Sequence, residues 1–255
     1  MVRIAREFAL YISKVSSFKY VDKVSTTRRI YFGTEFCSRA FPSPDKIWTV
    51  MQKVKERDLA FTLVLPWQLE SFQIDETLDL LPKGTEVVLS DFGQLEKIKQ
   101  RGLKPVLGRL LLNTKRDPRI LPETAAHQKK TSLLDHDNMK IFLRKNLIGR
   151  VEIDNFPFTF ESSEFKTSLY FPYVCISVSR KCLAAFQEAN PIEKDYICQY
   201  ECKTASPVKA TIEHHDGPLI YKGNGLFYMN KEKPSEEYLR SKNVDRFVFM
   251  PEIPY

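Results

Sequence analysis

The sequence predicts an α/β protein built as a degenerate (β/α) barrel, TIM-like, with an appended cysteine-bearing loop region. Three observations carry this. Strand-like runs alternate with helical stretches along most of the chain, the pattern of a mainly parallel sheet. About eight such runs occur, more than a five- or six-stranded doubly wound sheet requires. No Gly-x-Gly-x-x-Gly run and no Gly-x-x-x-x-Gly-Lys-Ser/Thr run is present, which removes the usual fingerprints of nucleotide-binding α/β folds.

The strands are expected at residues 8–12, 29–36, 60–66, 85–89, 105–110, 150–153, 168–177 and 246–250. A first helix starts at Ser43-Pro44-Asp45, where a capping residue precedes a proline in the first turn. Ile47, Trp48, Met51 and Val54 follow at helical spacing, and the helix runs to about Asp58. A second opens at Ser90 or Asp91, carries Leu95 and Ile98 on one face and stops at Gly102, since glycine readily takes the left-handed conformation that ends helices. A third, near 131–147, sets Leu134, Met139, Phe142 and Leu143 among charged residues. Residues 182–230 break the alternation and read as an irregular insertion or short hairpin.

The 255 residues are 43% hydrophobic and 28% charged, a composition that closes a core and excludes disorder, collagen and coiled coil. There is no fixed-period repeat and no Gly/Ser linker, so residues 1–255 are expected to form one domain. The longest apolar runs stop far short of the roughly 20 residues that cross a bilayer. The first residues carry Arg3, Arg6 and Glu7 and lack an apolar leader pattern. Cytoplasm is the expected compartment.

The net charge of +7 is regional. Residues 95–150 hold fourteen Lys or Arg against five Asp or Glu, an excess of nine, so the remainder sums to minus two. Such a stretch suits an anionic small molecule or RNA, and a solvated helix face gives the same count.

Five cysteines without a secretion signal argue against a disulfide scaffold. Cys37, Cys182, Cys198 and Cys202 lie at strand ends or in polar stretches, with cations beside the first two. Adjacent cations favour the thiolate that metals need. Four thiolates from three segments can enclose zinc or an iron–sulfur cluster. Cys198 and Cys202 stand at i, i+4, which on a helical turn would put both sulfurs on one face. Cys175, inside the apolar run 173–176, reads instead as a buried hydrophobe. In a barrel the strand C-termini gather at one rim, and Cys37, Trp67, Asp91, Arg109, Cys182 and Glu252 all fall at or just past predicted strand ends.

Arg109, Lys115, Arg116 and Arg119 surround an Asp117-Pro118 turn. Arg109, at a strand end, is the first candidate to grip a carboxylated molecule by a two-pronged contact, with Arg39 and Arg180 after it. Hydrolase signatures are missing: no Gly-x-Ser-x-Gly and no His-Glu-x-x-His. His214-His215-Asp216 precedes Gly217-Pro218 and reads as a turn, while His127 and His136 read as surface residues.

Four segments carry a resemblance: Phe32-Gly-Thr-Glu-Phe-Cys-Ser-Arg39; Val88-Leu-Ser-Asp-Phe-Gly93; Gly108-Arg-Leu-Leu-Leu-Asn with Lys115-Arg-Asp-Pro-Arg119; and Phe171-Pro-Tyr173 leading to Cys182. Together they resemble the collagenase-like peptidase family U thirty-two over about residues 30–255, nearest to its UbiV-like iron–sulfur branch. That resemblance implies a [4Fe-4S] cluster on Cys37, Cys182, Cys198 and Cys202, within residues 182–230 and at the end of the second strand. It also implies a paralogous partner subunit in a heterodimer, and oxygen-independent hydroxylation of the ubiquinone ring or, in related members, of RNA, with prephenate as the oxygen source. The chain is short for the branch, and fifteen residues separate Cys182 from Cys198, a longer spacing than the branch leads one to expect. The chain is therefore expected to be a hydroxylase or a hydroxylase subunit. The alternatives are a peptidase using Cys37 as nucleophile, for which no histidine is placed as base, and an RNA-binding module without catalysis. In the second case residues 95–150 would contact phosphate, with Phe142 as their only aromatic.

Overall fold

The computed structural model describes residues 5–67, 71–114, 116, 132–156, 164–179, 182, 198, 200, 202, 206–213 and 217–255. Eight strands close a barrel: β1 (Glu7–Ile12), β2 (Arg29–Gly33), β3 (Ala60–Val64), β4 (Glu86–Leu89), β5 (Lys104–Leu107), β6 (Arg150–Asp154), β7 (Lys166–Phe171) and β12 (Val244–Phe249). Every neighbouring pair is parallel, and β1 seals the ring by pairing with both β2 and β12. Each barrel strand falls on a predicted run. One prediction is corrected: the run 168–177 is two strands, because Pro172 lacks the N–H needed to continue the ladder. The chain leaves the barrel there as β8 (Tyr173–Val178) and enters a second sheet with β9 (Val208–Ala210), β10 (Leu219–Lys222) and β11 (Gly225–Met229), in the order β8-β11-β10-β9. The described part of 182–230 thus carries antiparallel strands.

Barrel strands are buried on both faces, and adjacent residues enter different cores. Ala9, Tyr11, Tyr31, Val64, Val88, Val106, Tyr170 and Val248 form one cluster without helix residues, which is the barrel interior. Leu10, Ile30, Phe32, Leu63, Val87, Ile153 and Leu169 belong to another, shared with the helices outside. This explains why the strands read as apolar runs with little polar alternation.

Helix α1 (Pro44–Glu56) buries Ile47, Val50 and Val54. Trp48, expected on that face, is 52% exposed, because the buried stripe turns through Val50 instead. Ser43 stands at the N-cap without a side-chain hydrogen bond, so the start rests on Pro44. Helix α2 (Ser71–Asp79) was not anticipated. Asp91 does cap the next helical segment, accepting from the Gly93 N–H at 2.8 Å. Helix α3 (Leu95–Gln100) then buries Leu95 and Ile98, and the chain turns at Gly102 with φ +67°. Helices α4 (Asp137–Lys145) and α5 (Glu236–Ser241) follow, the latter capped by Ser235. The barrel is degenerate in two respects: β1 is followed by a 3-10 segment, Val15–Lys23, and β7 by the second sheet before α5. Among the described residues no helix is long and apolar enough to cross a membrane.

Charged residues plug the end of the barrel where the strands begin. Arg246 donates to Glu7, to the Tyr31 hydroxyl and to Glu86 at 2.5, 2.7 and 2.6 Å. Arg29 reaches Glu7 at 2.9 Å, and Arg150 reaches Asp245 at 2.6 Å. Burial would raise the Glu86 pKa, but Arg246, then Arg29 and Arg150, hold it down at about 2.

Midway along the axis, Glu152 accepts a short hydrogen bond from the Tyr170 hydroxyl. Burial pushes the Glu152 carboxyl up to about 8, against the pull of that hydroxyl and with help from the Glu35 charge. The folded chain therefore keeps a proton that the unfolded chain, with its carboxyl near 4.5, releases. Stability from this group is full below pH 4.5 and is lost as pH rises to about 8. We expect Glu152→Gln to remove that slope. Melting temperatures of wild type and variant should diverge steadily across this window, and a constant difference would contradict the assignment.

Candidate functional site

The opposite end of the barrel, where the strands finish, holds a buried ion cluster. Glu35 follows β2, Arg109 follows β5 and Asp154 ends β6, and all three side chains are only 1% exposed. Arg109 donates to Glu35 through Nε at 3.0 Å and Nη2 at 2.7 Å, and to Asp154 through Nη1 at 2.5 Å. Nη1 also reaches the Tyr173 carbonyl at 3.3 Å, and the guanidinium lies 4.4 Å from the centre of the Tyr170 ring. Arg116 donates to the other oxygen of Asp154 at 2.8 Å. Burial opposes the charge on Arg109, but Asp154 and Glu35 keep its pKa well above the ordinary value. Burial also raises the Glu35 carboxyl, more than Arg109 lowers it.

Arg109 is therefore the internal tie across the barrel mouth, with its N–H groups already engaged. Arg39 is exposed on the short 3-10 turn Ser38–Ala40. Arg180, Lys115, Arg119, His127 and the His214-His215-Asp216 cluster lie outside the described residues. Trp67, also expected at the rim, donates from Nε1 to the Phe36 carbonyl at 2.9 Å. Glu252 accepts a short hydrogen bond from Ser17.

The second sheet packs on this mouth. Its Cys175, Ile220 and Phe227 share one apolar cluster with Cys202, Phe36, Ile253 and Tyr255, and Cys37, Leu110 and Cys182 pack against it. Phe36, Leu110 and Ile253 all lie beyond barrel-strand ends, so this cluster covers the strand C-termini. The Tyr255 ring stacks on Phe36, with centroids 5.4 Å apart and planes 18° from parallel.

Cys37 and Cys182 thus pack near Cys202. Burial, then the mutual repulsion of charge on Cys182, Cys37 and Cys198, pushes the Cys202 thiol up to about 11, while Lys222 pulls it the other way. Burial raises the Tyr255 phenol, and Cys175, Cys37, Cys182 and Cys202 raise it further. Residues far apart in sequence thus share one electrostatic neighbourhood around Cys202 and Tyr255. The N–H of Tyr200 donates to Cys198 Sγ at 3.4 Å, from a backbone held at φ +65°. At Tyr200, between Cys198 and Cys202, the backbone is left-handed and aims its N–H at sulfur. Among the described residues, no three His, Cys, Asp or Glu side chains form a group that would hold a single metal ion.

Cys175 is placed differently. It lies in β8, fully buried, and its thiol donates to the Ser177 carbonyl at 3.8 Å. Burial pushes it up to about 12, although Arg116 and Arg109 act to lower it. Its own N–H donates to Asp154 at 3.2 Å, joining the second sheet to the ion cluster.

Sequence reasoning missed Glu35 and Asp154, since an acid at a strand end has no local signature. It also missed Asn224 and Tyr255, whose roles depend on residues far away in the chain.

No family model matches the chain, and no curated protein matches it. Among solved structures it is similar to the U32 peptidase Mk0906, at 12% identity and a TM-score of 0.48, over 99% of this chain and 95% of that one. It is also similar to 7,8-dihydropteroate synthase from Vibrio fischeri ES114, at 13% identity and a TM-score of 0.39, over 67% of this chain and 74% of the other.

Proposed function

We propose that this chain is an iron–sulfur protein in which Cys37, Cys182, Cys198 and Cys202 hold a [4Fe-4S] cluster at the barrel mouth. The observation that carries the reading is the meeting of these cysteines, from distant parts of the chain, around Cys202. The donor set fits the group in kind: a cubane takes one thiolate per iron, and four cysteines supply four. The N–H from Tyr200 to Cys198 Sγ is the kind of contact that tunes such a cluster. When bound, the cluster supplies one-electron chemistry or a Lewis-acidic iron. Phe36, Phe227 and Tyr255, which share an apolar cluster with Cys202, would give the group an apolar wall.

The reaction class follows the resemblance of the sequence segments: oxygen-independent hydroxylation, carried out by this chain or with a paralogous partner. Anaerobic purification followed by reconstitution with ferrous iron and sulfide tests the cluster. About four irons and four sulfides per chain are expected, with a broad visible absorption. A colourless protein carrying stoichiometric zinc would overturn the reading.

A further inference from the structure

We propose that Asn224 is the positioning residue of the cysteine centre, holding with one side-chain amide the two backbone segments that lead into Cys37 and Cys182. This rests on the metal reading above for its consequence, though not for its geometry.

Asn224 is the second residue of the two-residue turn between β10 and β11, and it is 7% exposed. Its Nδ2 donates to the Phe36 carbonyl at 2.8 Å and to the Ser179 carbonyl at 2.9 Å. Its Oδ1 accepts from the Tyr255 hydroxyl at 2.7 Å. Both amide hydrogens are therefore used, and the flipped amide would set its oxygen against two carbonyls. The Asn224 carbonyl also accepts from the Ser179 N–H at 2.8 Å.

These partners matter because of what they carry. The Phe36 carbonyl belongs to the peptide bond whose nitrogen is that of Cys37, and Trp67 grips the same oxygen. Ser179 lies three residues before Cys182. Lys222, two residues before Asn224, acts electrostatically on Cys202. The hairpin thus bonds two of the three segments that carry the four cysteines and acts electrostatically on the third.

Asparagine suits hairpin turns for local reasons, but a turn alone explains neither contact, since they reach 188 and 45 residues away in the chain. The flanking glycines are moulded to the same task. A Cβ on Gly223, which has φ +57°, would lie 2.3 Å from the Tyr255 ring, and one on Gly225 would lie 2.7 Å from the Tyr255 hydroxyl. Tyr255 can reach the amide only because both neighbours lack side chains.

Outer partners that orient metal ligands typically account for about 10–100-fold in metal affinity. Asn224→Asp keeps the shape and removes both donated bonds, and Tyr255→Phe removes only the bond that orients the amide. Two measurements test the role. In protein free of metal, hydrogen exchange of the amides at residues 36–41 and 174–179 should quicken in N224D and, less, in Y255F, while both variants keep the wild-type circular dichroism spectrum. After reconstitution with ferrous iron and sulfide, N224D should lose iron to a chelator about tenfold faster and show an altered electron paramagnetic resonance spectrum. Unchanged exchange at both segments in N224D would overturn the proposal. If wild type takes up no iron, the cluster reading fails by itself and the exchange result alone decides the role of Asn224.

Discussion

Replacing Cys202 by alanine is expected to abolish iron uptake, with Cys37→Ala, Cys182→Ala and Cys198→Ala doing the same or leaving a strongly depleted, bleached protein. Cys175→Ala should retain both iron and colour. The contrast follows from position. Cys37 and Cys182 pack against the apolar cluster that holds Cys202, and charge on Cys182, Cys37 and Cys198 raises its thiol. Cys175 sits within β8, hydrogen-bonded to Ser177, and the groups that act on it are the ions of the barrel mouth. Ligation needs the thiolate, so binding to a thiol held at about 11 releases a proton, and uptake should strengthen as pH rises below that value. Iron and sulfide analysis of the five single variants checks the assignment. Loss of the cluster in Cys175→Ala with retention in Cys182→Ala would exchange the roles of these two cysteines.

The second large effect is expected from Arg109→Met. Glu35 and Asp154 are each 1% exposed and lean on this guanidinium. Removing one partner of a buried ion pair leaves a charge without compensation and costs about 3–5 kcal/mol. Against a total stability of about 5–15 kcal/mol, that is a substantial part of the fold. The double variant Arg109→Met/Glu35→Gln should recover much of the loss, because Asp154 keeps Arg116 at 2.8 Å while the stranded charge on Glu35 is gone. Urea unfolding of the two variants and wild type measures this. A single variant within about 1 kcal/mol of wild type would show that the mouth does not depend on its central ion pair.

The same residue shows how far a sequence can be read. Arg109 was legible as special, since a cation at a strand end is unusual, and a free receptor for a carboxylate was the natural inference. The structure engages it with Glu35 and Asp154 instead, residues 74 and 45 positions away. The cysteines were separable by local context: Cys175 in an apolar run, the others beside cations or in polar stretches. Their gathering could be anticipated only through the barrel rule that brings strand ends to one rim. The kink at Tyr200 was illegible, because a left-handed residue in the middle of Cys198–Cys202 leaves no mark in composition.

What the sequence determined by itself is the α/β barrel and the places of its eight strands, because strands buried on both faces write continuous apolar runs, and Pro, Gly and capping residues punctuate them locally. What only the tertiary structure decided is which charges neutralise one another in the barrel, where β7 gives way to the second sheet, and how Asn224 and Tyr255 hold the cysteine segments. Each of these is a contact between residues distant in the chain, whose energy depends on burial and on a partner's position. Local periodicity contains neither.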